Sequence, residues 1–305
     1  MSYSGSSDTV AKAEGIVQSR PSLRTIWEQG RTAVGAWCGI PSALSAEALA
    51  RSGFDWLCID MQHGCMDYSV ALEMIRAVDA TRCQAIVRMP WNEPSMIGRV
   101  LDAGADGVII PMIQSPADAR AAVDACLYPP SGRRSFGPMR VGLREGGSYF
   151  REANSRTLVI LMIETAEALA NVEAIATTPG VGALFMGPFD MSVALGLPPG
   201  DNDGDEAFDR AVATIVAAAK RAGIGAAVLS SASLFERRAA QGFNMISTTT
   251  DLAALSLAAR SDLKVARSTA SIETGIARDV CDLGHSISPP ISATLPTVDH
   301  GRMSS

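Results

Sequence analysis

Lysine and histidine are scarce in this chain of 305 residues, with three of each. Lys12 lies near the N-terminus, Lys220 in a helical stretch one turn before a glycine, and Lys264 in the last helical stretch; none ends a strand-like run. Schiff-base catalysis needs a desolvated lysine inside the site, so imine chemistry has no residue to act through. The formal charge of -6 and the lack of lysine clusters argue against nucleic acid, whose phosphates are gathered by grouped Lys and Arg. No apolar run reaches the ~20 residues of a membrane helix. The first twenty residues have neither the basic start nor the apolar centre of a secretion signal, so the expected location is the cytoplasm. Cys38, Cys58, Cys65, Cys83, Cys126 and Cys281 form no C-x-x-C and sit mostly in apolar segments, where a thiol packs as a small hydrophobe. A G-x-G-x-x-G turn after the first strand-like run is also missing.

Hydrophobic residues make up 47% of the chain against 19% charged, enough for a large core. Short apolar, β-branched runs alternate with longer stretches of helical period, the pattern of βα units around a parallel sheet. The expected strands are 32–38, 56–60, 84–88, 107–111, 157–163, 181–187, 223–229 and 244–248. Expected helices include one near 22–30, one at 68–80 with an apolar face of Val70, Ala71, Met74, Ile75 and Val78, and one at 206–222 with Phe208, Val212, Ile215, Val216 and Ala219. Gly53, Gly104, Gly180, Gly223 and Gly242 stand where left-handed helix stops belong. Eight such units fit one closed (β/α)8 TIM barrel, usually ~250 residues long. An open doubly wound sheet is the alternative, and the missing glycine turn weighs against it. The expected organisation is an α/β chain with a disordered segment over 1–20, a single barrel domain over 21–268 and a mobile Ser/Pro-rich tail over 269–305. The longest connection, 128–156, has the length of a functional or disordered loop.

Polar groups gather at one end of the expected sheet. His63 follows the run 56–60, Arg88 ends 84–88, Glu164 follows 157–163, and Asp190 follows Gly187-Pro188-Phe189. Each alone has an ordinary role, as a helix cap, an ion-pair partner or a packed imidazole. Four at the C-terminal ends of barrel strands, where the βα loops build the active face, point to a site. His285 and His300 fall in the tail, which leaves His63 as its imidazole. Glu164 and Asp190 are the candidate metal ligands, because two carboxylates with open positions suit a hard divalent ion such as Mg²⁺ or Mn²⁺. Glu164 equally suits the N-terminus of the helical stretch TAEALANVEAIA. With no lysine in reach, a carbonyl substrate needs that metal as its electrophile.

Six motifs in order, IDMQHG (59–64), VRMPWNEP (87–94), LDAGADGVIIPM (101–112), YPPSGRRSFGP (128–138), MIET (162–165) and GPFDMS (187–192), resemble the HpcH/HpaI aldolases, metal-dependent class II pyruvate aldolases, over about residues 22–262. The resemblance implies a (β/α)8 barrel and a divalent ion (Mg²⁺, Mn²⁺ or Co²⁺) on Glu164 and Asp190. It also implies His63 as base, Arg88 steadying the developing enolate, and main-chain groups of the segment Gly187, Pro188, Phe189 and Asp190 holding the pyruvate carboxylate. By the same resemblance Asp102 raises the basicity of the histidine from a neighbouring subunit, within a hexamer that exchanges a final helix; residues 250–266 are helical enough to serve. Trp37 matches a family aromatic near the site, or packs the barrel end. Two positions depart from the pattern. Gln62 stands where many members have Glu and cannot supply negative charge to an imidazolium; Met162 stands where members often have Gln and donates no hydrogen bond.

The implied reaction is reversible cleavage of a 4-hydroxy-2-oxo acid to pyruvate and an aldehyde. His63, directly or through water, takes the 4-hydroxyl proton, a task suited to a group that titrates near neutrality. Arg133, Arg134, Arg140 and Arg144 either bind a carboxylate on the aldehyde half or form a solvated charged loop. Two alternatives stand beside this reading. One is a CoA-thioester lyase of the citrate lyase β/malyl-CoA lyase type, whose members use additional arginines for the carrier and lack the histidine; the other is a catalytically drifted barrel that binds a small oxo acid.

Overall fold

Eight parallel strands close into a barrel in chain order in the computed structural model, which describes residues 20–270: β1 Ala33–Cys38, β2 Trp56–Asp60, β3 Gln84–Arg88, β4 Gly107–Ile110, β5 Leu158–Ile163, β6 Ala183–Met186, β7 Gly225–Leu229 and β8 Met245–Thr250. β8 pairs back onto β1, with Ala33 opposite Met245. That closure leaves no edge and rules out the open sheet. The helix Tyr68–Asp79 buries Ala71, Met74, Ile75 and Val78, and the helix Glu206–Ala222 buries Phe208, Val212, Ile215 and Ala219. Asp67 caps the first by accepting from the Val70 amide, Asp205 caps the second through Ala207 and Phe208, and Gly223 ends it in the left-handed conformation at φ 69°. The other four expected glycine stops also have positive φ.

Successive residues of a strand point to opposite faces, and the two faces here belong to different cores. Leu57, Ile59, Ala85, Val87, Val159, Leu161 and Ile163 pack outward against the helices. Trp37, Trp56, Cys58, Ile86, Ile160, Met162 and Phe185 fill the barrel interior. Trp56, fully buried, fits only because Gly35 faces it; a Cβ there would fall 2.1 Å from the indole. Leu23 and Ile26 of the helix Leu23–Glu28 join the interior cluster and close the N-terminal end of the barrel. Each such side chain taken fully from water is worth about 1.5–3 kcal/mol, so the interior is packed and only its C-terminal end is left for chemistry.

The connection 128–156 is not structureless. It holds the helices Met139–Glu145 and Ser148–Arg156, packed through Tyr128, Val141, Tyr149 and Ala153. Because it runs from a helix into the start of β5, it lies at the N-terminal ends of the strands, opposite the active face. Its arginines meet acids there: Arg134 to Asp102 at 2.6 Å, Arg140 to Asp79 at 2.5 Å, Arg144 to Asp79, and Arg133 to Asp124 at 3.5 Å. In their own chain these arginines therefore lie away from the active face, and they are ion-paired, Arg133 alone remaining largely solvated.

The last helix, Asp251–Ala270, runs to the end of the described residues and leaves Leu252, Leu255, Leu257, Leu263 and Val265 exposed. Cys38, Cys58, Cys83 and Cys126 are buried free thiols, and Cys65 is exposed. Among the described residues no helix is long and apolar enough to cross a membrane. The N-terminal segment up to residue 19, with Lys12, and the tail from 271, with Cys281, His285 and His300, lie outside the described residues.

Candidate active site

The inward period of the strands, followed to the last residue of β2 and β3 and one residue past β5 and β6, delivers the site. Asp60 follows Trp56 and Cys58, Arg88 follows Ile86, Glu164 follows Ile160 and Met162, and Gly187 follows Ala183 and Phe185. Register sets Asp60 beside Arg88 across β2 and β3. Arg88 donates from Nε to Asp60 Oδ1 at 2.9 Å and from Nη2 to Oδ2 at 2.6 Å. Trp37 Nε1 donates to Oδ2 at 2.9 Å, and the main-chain N–H groups of Gln62 and His63 donate to Oδ1 at 3.0 and 3.2 Å. Burial pushes the Asp60 carboxyl up, but the hydrogen bonds and charge of Arg88, with Trp37 and the His63 amide, outweigh it and hold the group below the usual carboxylate range. This one carboxylate aims the guanidinium, stands it 4.9 Å from the Trp37 ring centroid and pins the main chain at His63. Nη1 of Arg88 makes no hydrogen bond among the described residues and is the donor left for a ligand.

Glu164 is 2% exposed, and its Oε1 accepts the Met112 amide at 2.8 Å. Met112 is held at φ 55°, a conformation side chains rarely adopt. A residue held there costs of order 1–3 kcal/mol, and here it turns an N–H onto the glutamate. Burial pushes the Glu164 carboxyl up; the Met112 amide opposes, Asp190 adds repulsion, Arg88 opposes, and the group ends above its ordinary range. Gly187 leaves room for it, since a Cβ would stand 2.8 Å from Glu164 Oε2. The same glycine begins the helix Pro188–Ala194 without a side-chain cap, so the amides of Phe189 and Asp190 are not taken by one. Trp37, His63, Arg88, Met162, Gly187 and Asp190 line a cavity of about 130 Å³. Larger cavities lie under the barrel floor and beside the 128–156 segment, away from these groups.

Of the residues expected from sequence, His63, Arg88, Glu164, Asp190 and the Gly187–Asp190 turn come together at this mouth, with Trp37 among them. Asp102 does not: it is the last residue of the helix Pro94–Asp102, toward the opposite end, and accepts from Arg134 Nη2 at 2.6 Å. Met162 is buried at the cavity wall, and the buried Oε1 of Gln62 has no hydrogen-bond partner among the described residues. The residue that sequence reasoning missed is Asp60. Its signal was the same inward alternation, Trp56, Cys58, Asp60, read only as far as the histidine three residues on.

The donor set fits a hard divalent cation. Two carboxylates converge, one of them buried and carrying unfavourable charge, and among the described residues no third His, Cys, Asp or Glu joins them. Mg²⁺ is commonly held in that way, by one or two carboxylates with the remaining positions open to water or substrate oxygen.

Comparison with known proteins agrees with this arrangement. Residues 33–258 match the family model of HpcH/HpaI aldolase/citrate lyase. The hydroxypyruvate/pyruvate aldolase of Rhizorhabdus wittichii is 38% identical over 246 residues, 80% of this chain and 98% of that protein. The 4-hydroxy-2-oxo-heptane-1,7-dioate aldolase of Salmonella dublin is 36% identical over 200 residues, 64% of this chain and 76% of that protein. The crystal structure of a HpcH/HpaI aldolase/citrate lyase family protein from Burkholderia cenocepacia J2315 superposes with a TM-score of 0.75 at 33% identity, covering 80% of this chain and 98% of the other.

Proposed function

The chain belongs to the HpcH/HpaI aldolase/citrate lyase family and is a carbon–carbon lyase, a metal-dependent aldolase; from that premise we propose that it cleaves and forms 4-hydroxy-2-oxo acids at the mouth of the barrel, releasing pyruvate and an aldehyde. The observation that carries the assignment is Glu164, buried and repelled by Asp190 at the end of β5, a placement that a bound cation would relieve. Glu164 and Asp190 would hold Mg²⁺, Mn²⁺ or Co²⁺, and the ion would supply a Lewis acid for the 2-oxo group. The amides of Phe189 and Asp190, after Gly187 and Pro188, take the substrate carboxylate at a helix start. Arg88, steered by Asp60, places its free Nη1 where negative charge grows on the 2-oxo oxygen. A donor fixed beforehand acts most strongly there. His63 accepts the 4-hydroxyl proton as the C–C bond breaks and returns it in the reverse direction; in support, it lines the cavity and its amide is tied to Asp60. In its own chain Asp102 is bonded to Arg134 toward the far end of the barrel, so its proposed part, support of the histidine, is played for a second subunit.

The exposed leucines of the helix Asp251–Ala270 favour a homo-oligomer, proposed as a hexamer in which this helix packs on a neighbour. Sedimentation velocity checks the state. The four buried free thiols suit a reducing compartment, and the cytoplasm is part of the proposal. The CoA-thioester alternative is the weaker one, because His63, which those lyases lack, lines the cavity at the mouth. The deciding experiment is deuterium exchange into the methyl group of pyruvate with and without Mn²⁺. Exchange that needs the ion and disappears in folded Glu164→Ala supports the assignment. Exchange unaffected by that substitution removes Glu164 from the mechanism, and a barrel that binds pyruvate without exchanging it is the drifted binding protein.

A further inference from the structure

The floor of the barrel holds a second cavity, of about 480 Å³, between the helix Leu23–Glu28 and the N-terminal ends of β6, β7 and β8. Arg24, Trp27, Glu28, Gly182, Gly225 and Asn244 are among its walls, Glu28 being an exposed residue at its edge. Its glycines are needed there: a Cβ at Gly225 would stand 2.6 Å from the Trp27 ring, and one at Gly182 would stand 3.1 Å from Arg24 Nη2. The other arginines withdrawn from water each meet an acid, Arg88 with Asp60, Arg134 with Asp102, Arg144 with Asp79 and Arg238 with Asp201 and Asp203. Arg24 forms no ion pair among the described residues; Nη2 reaches the Thr157 carbonyl at 3.4 Å, and the buried Nη1 has no partner. The buried Nε1 of Trp27 has none either. Asn244 turns its Oδ1 to the Ala226 amide at 2.9 Å, which commits its oxygen and leaves its NH₂ as a further donor. Burial lowers the pKa of Arg24, and Glu28, one turn along, offsets only part of that.

Buried donors without acceptors are rare in native proteins and call for a partner. Donors from a guanidinium, an indole and an amide around one cavity have the chemistry of an oxyanion site, since an arginine fork accepts carboxylate or phosphate oxygens two at a time. We propose that this cavity under the barrel floor binds a small anion bearing a carboxylate or phosphate group, held by Arg24 with Trp27 and Asn244, at a site separate from the aldolase centre. The packed interior around Trp56 and Ile86 lies between the two, so the anion does not reach the reacting atoms.

The probe is ¹⁹F NMR of the full chain carrying 5-fluorotryptophan, with the Trp27 resonance assigned by Trp27→Phe. Inorganic phosphate and succinate, which lacks the 2-oxo group the aldolase centre recognises, are titrated separately. A saturable shift of the Trp27 line, weakened at least tenfold in Arg24→Gln while retro-aldol activity stays at the parent value, supports the site. The probe that gives the shift identifies the anion class. Should Arg24→Gln not fold, Asn244→Ala is read in the same way. A Trp27 line unmoved by both anions overturns the proposal, and so does a shift that survives both substitutions.

Discussion

Replacing Asp60 by Asn tests the construction of the site most directly. The carboxylate collects five hydrogen bonds, two from Arg88, one from Trp37 and one each from the Gln62 and His63 amides, at 4% exposure. Asn keeps the size and one acceptor oxygen but turns an NH₂ toward these donors and leaves the buried guanidinium of Arg88 without its counter-charge. Breaking a buried pair costs about 3–5 kcal/mol; the oxygen that remains puts the expected loss near the lower end, about 3 kcal/mol. For a chain of this size each kcal/mol moves the melting temperature by about 2–4 °C, so Asp60→Asn is expected to melt roughly 6–12 °C below the parent at pH 7 and equal subunit concentration. Because Asp60 titrates below the usual range when folded, its stabilisation is complete above the unfolded pKa of about 3.9 and is lost as pH falls through the lower folded value. The gap between parent and variant is therefore constant from neutral pH down to about 5 and closes in stronger acid. Activity should fall about 100-fold, since a displacement of about 1 Å in a positioned group costs that much. Differential scanning calorimetry across pH and a coupled retro-aldol assay measure both effects. A variant melting within about 2 °C of the parent with unchanged kcat would refute the role given to Asp60.

Mn²⁺ is expected to raise the melting temperature of the parent in a concentration-dependent way, because binding to the native state alone stabilises it, and EDTA reverses the gain; Glu164→Gln abolishes the response, which thermal shift reads without any activity measurement. Gly187→Ala places a methyl 2.8 Å from Glu164 Oε2 and should lower kcat about 100-fold with a stability loss of about 1–3 kcal/mol, followed by steady-state kinetics beside urea unfolding; normal turnover removes the need for glycine there. Gly35→Ala drives a Cβ into the Trp56 ring and should cost about 3 kcal/mol through overpacking, seen as a lower urea midpoint, and Gly35→Ala combined with Trp56→Phe should recover part of it.

The eight strands were legible to within two residues at every end, because buried parallel strands read as short apolar runs between helical periods and glycine stops. His63, Arg88, Glu164 and Asp190 were legible for the same reason: the C-terminal end of a barrel strand is a position in sequence as well as in space. Asp60 was equally on the page, at the next inward step after Trp56 and Cys58, but a carboxylate ending an apolar run gives no sign of how many donors will converge on it. The arginines of 128–156 read as either carboxylate binders or a solvated charged loop, and the acids that hold them, Asp79, Asp102 and Asp124, come from helices 9 to 65 residues earlier in the chain.

What the amino-acid sequence determined alone was everything set by local periodicity: which residues make strands and helices, which face of each is buried, and which side chains stand at the strand ends. What tertiary structure decided was partnership. Only closure of the barrel brings Arg88 and Trp37 onto Asp60, turns the Met112 amide to Glu164 and sets Asp190 near enough to repel it, and only the seating of the Leu23–Glu28 helix leaves Arg24 without an ion pair among the described residues. Periodicity repeats over a few residues and so is written along the chain, whereas a hydrogen bond or an ion pair depends on distances between atoms dozens of residues apart that exist only once the barrel has closed.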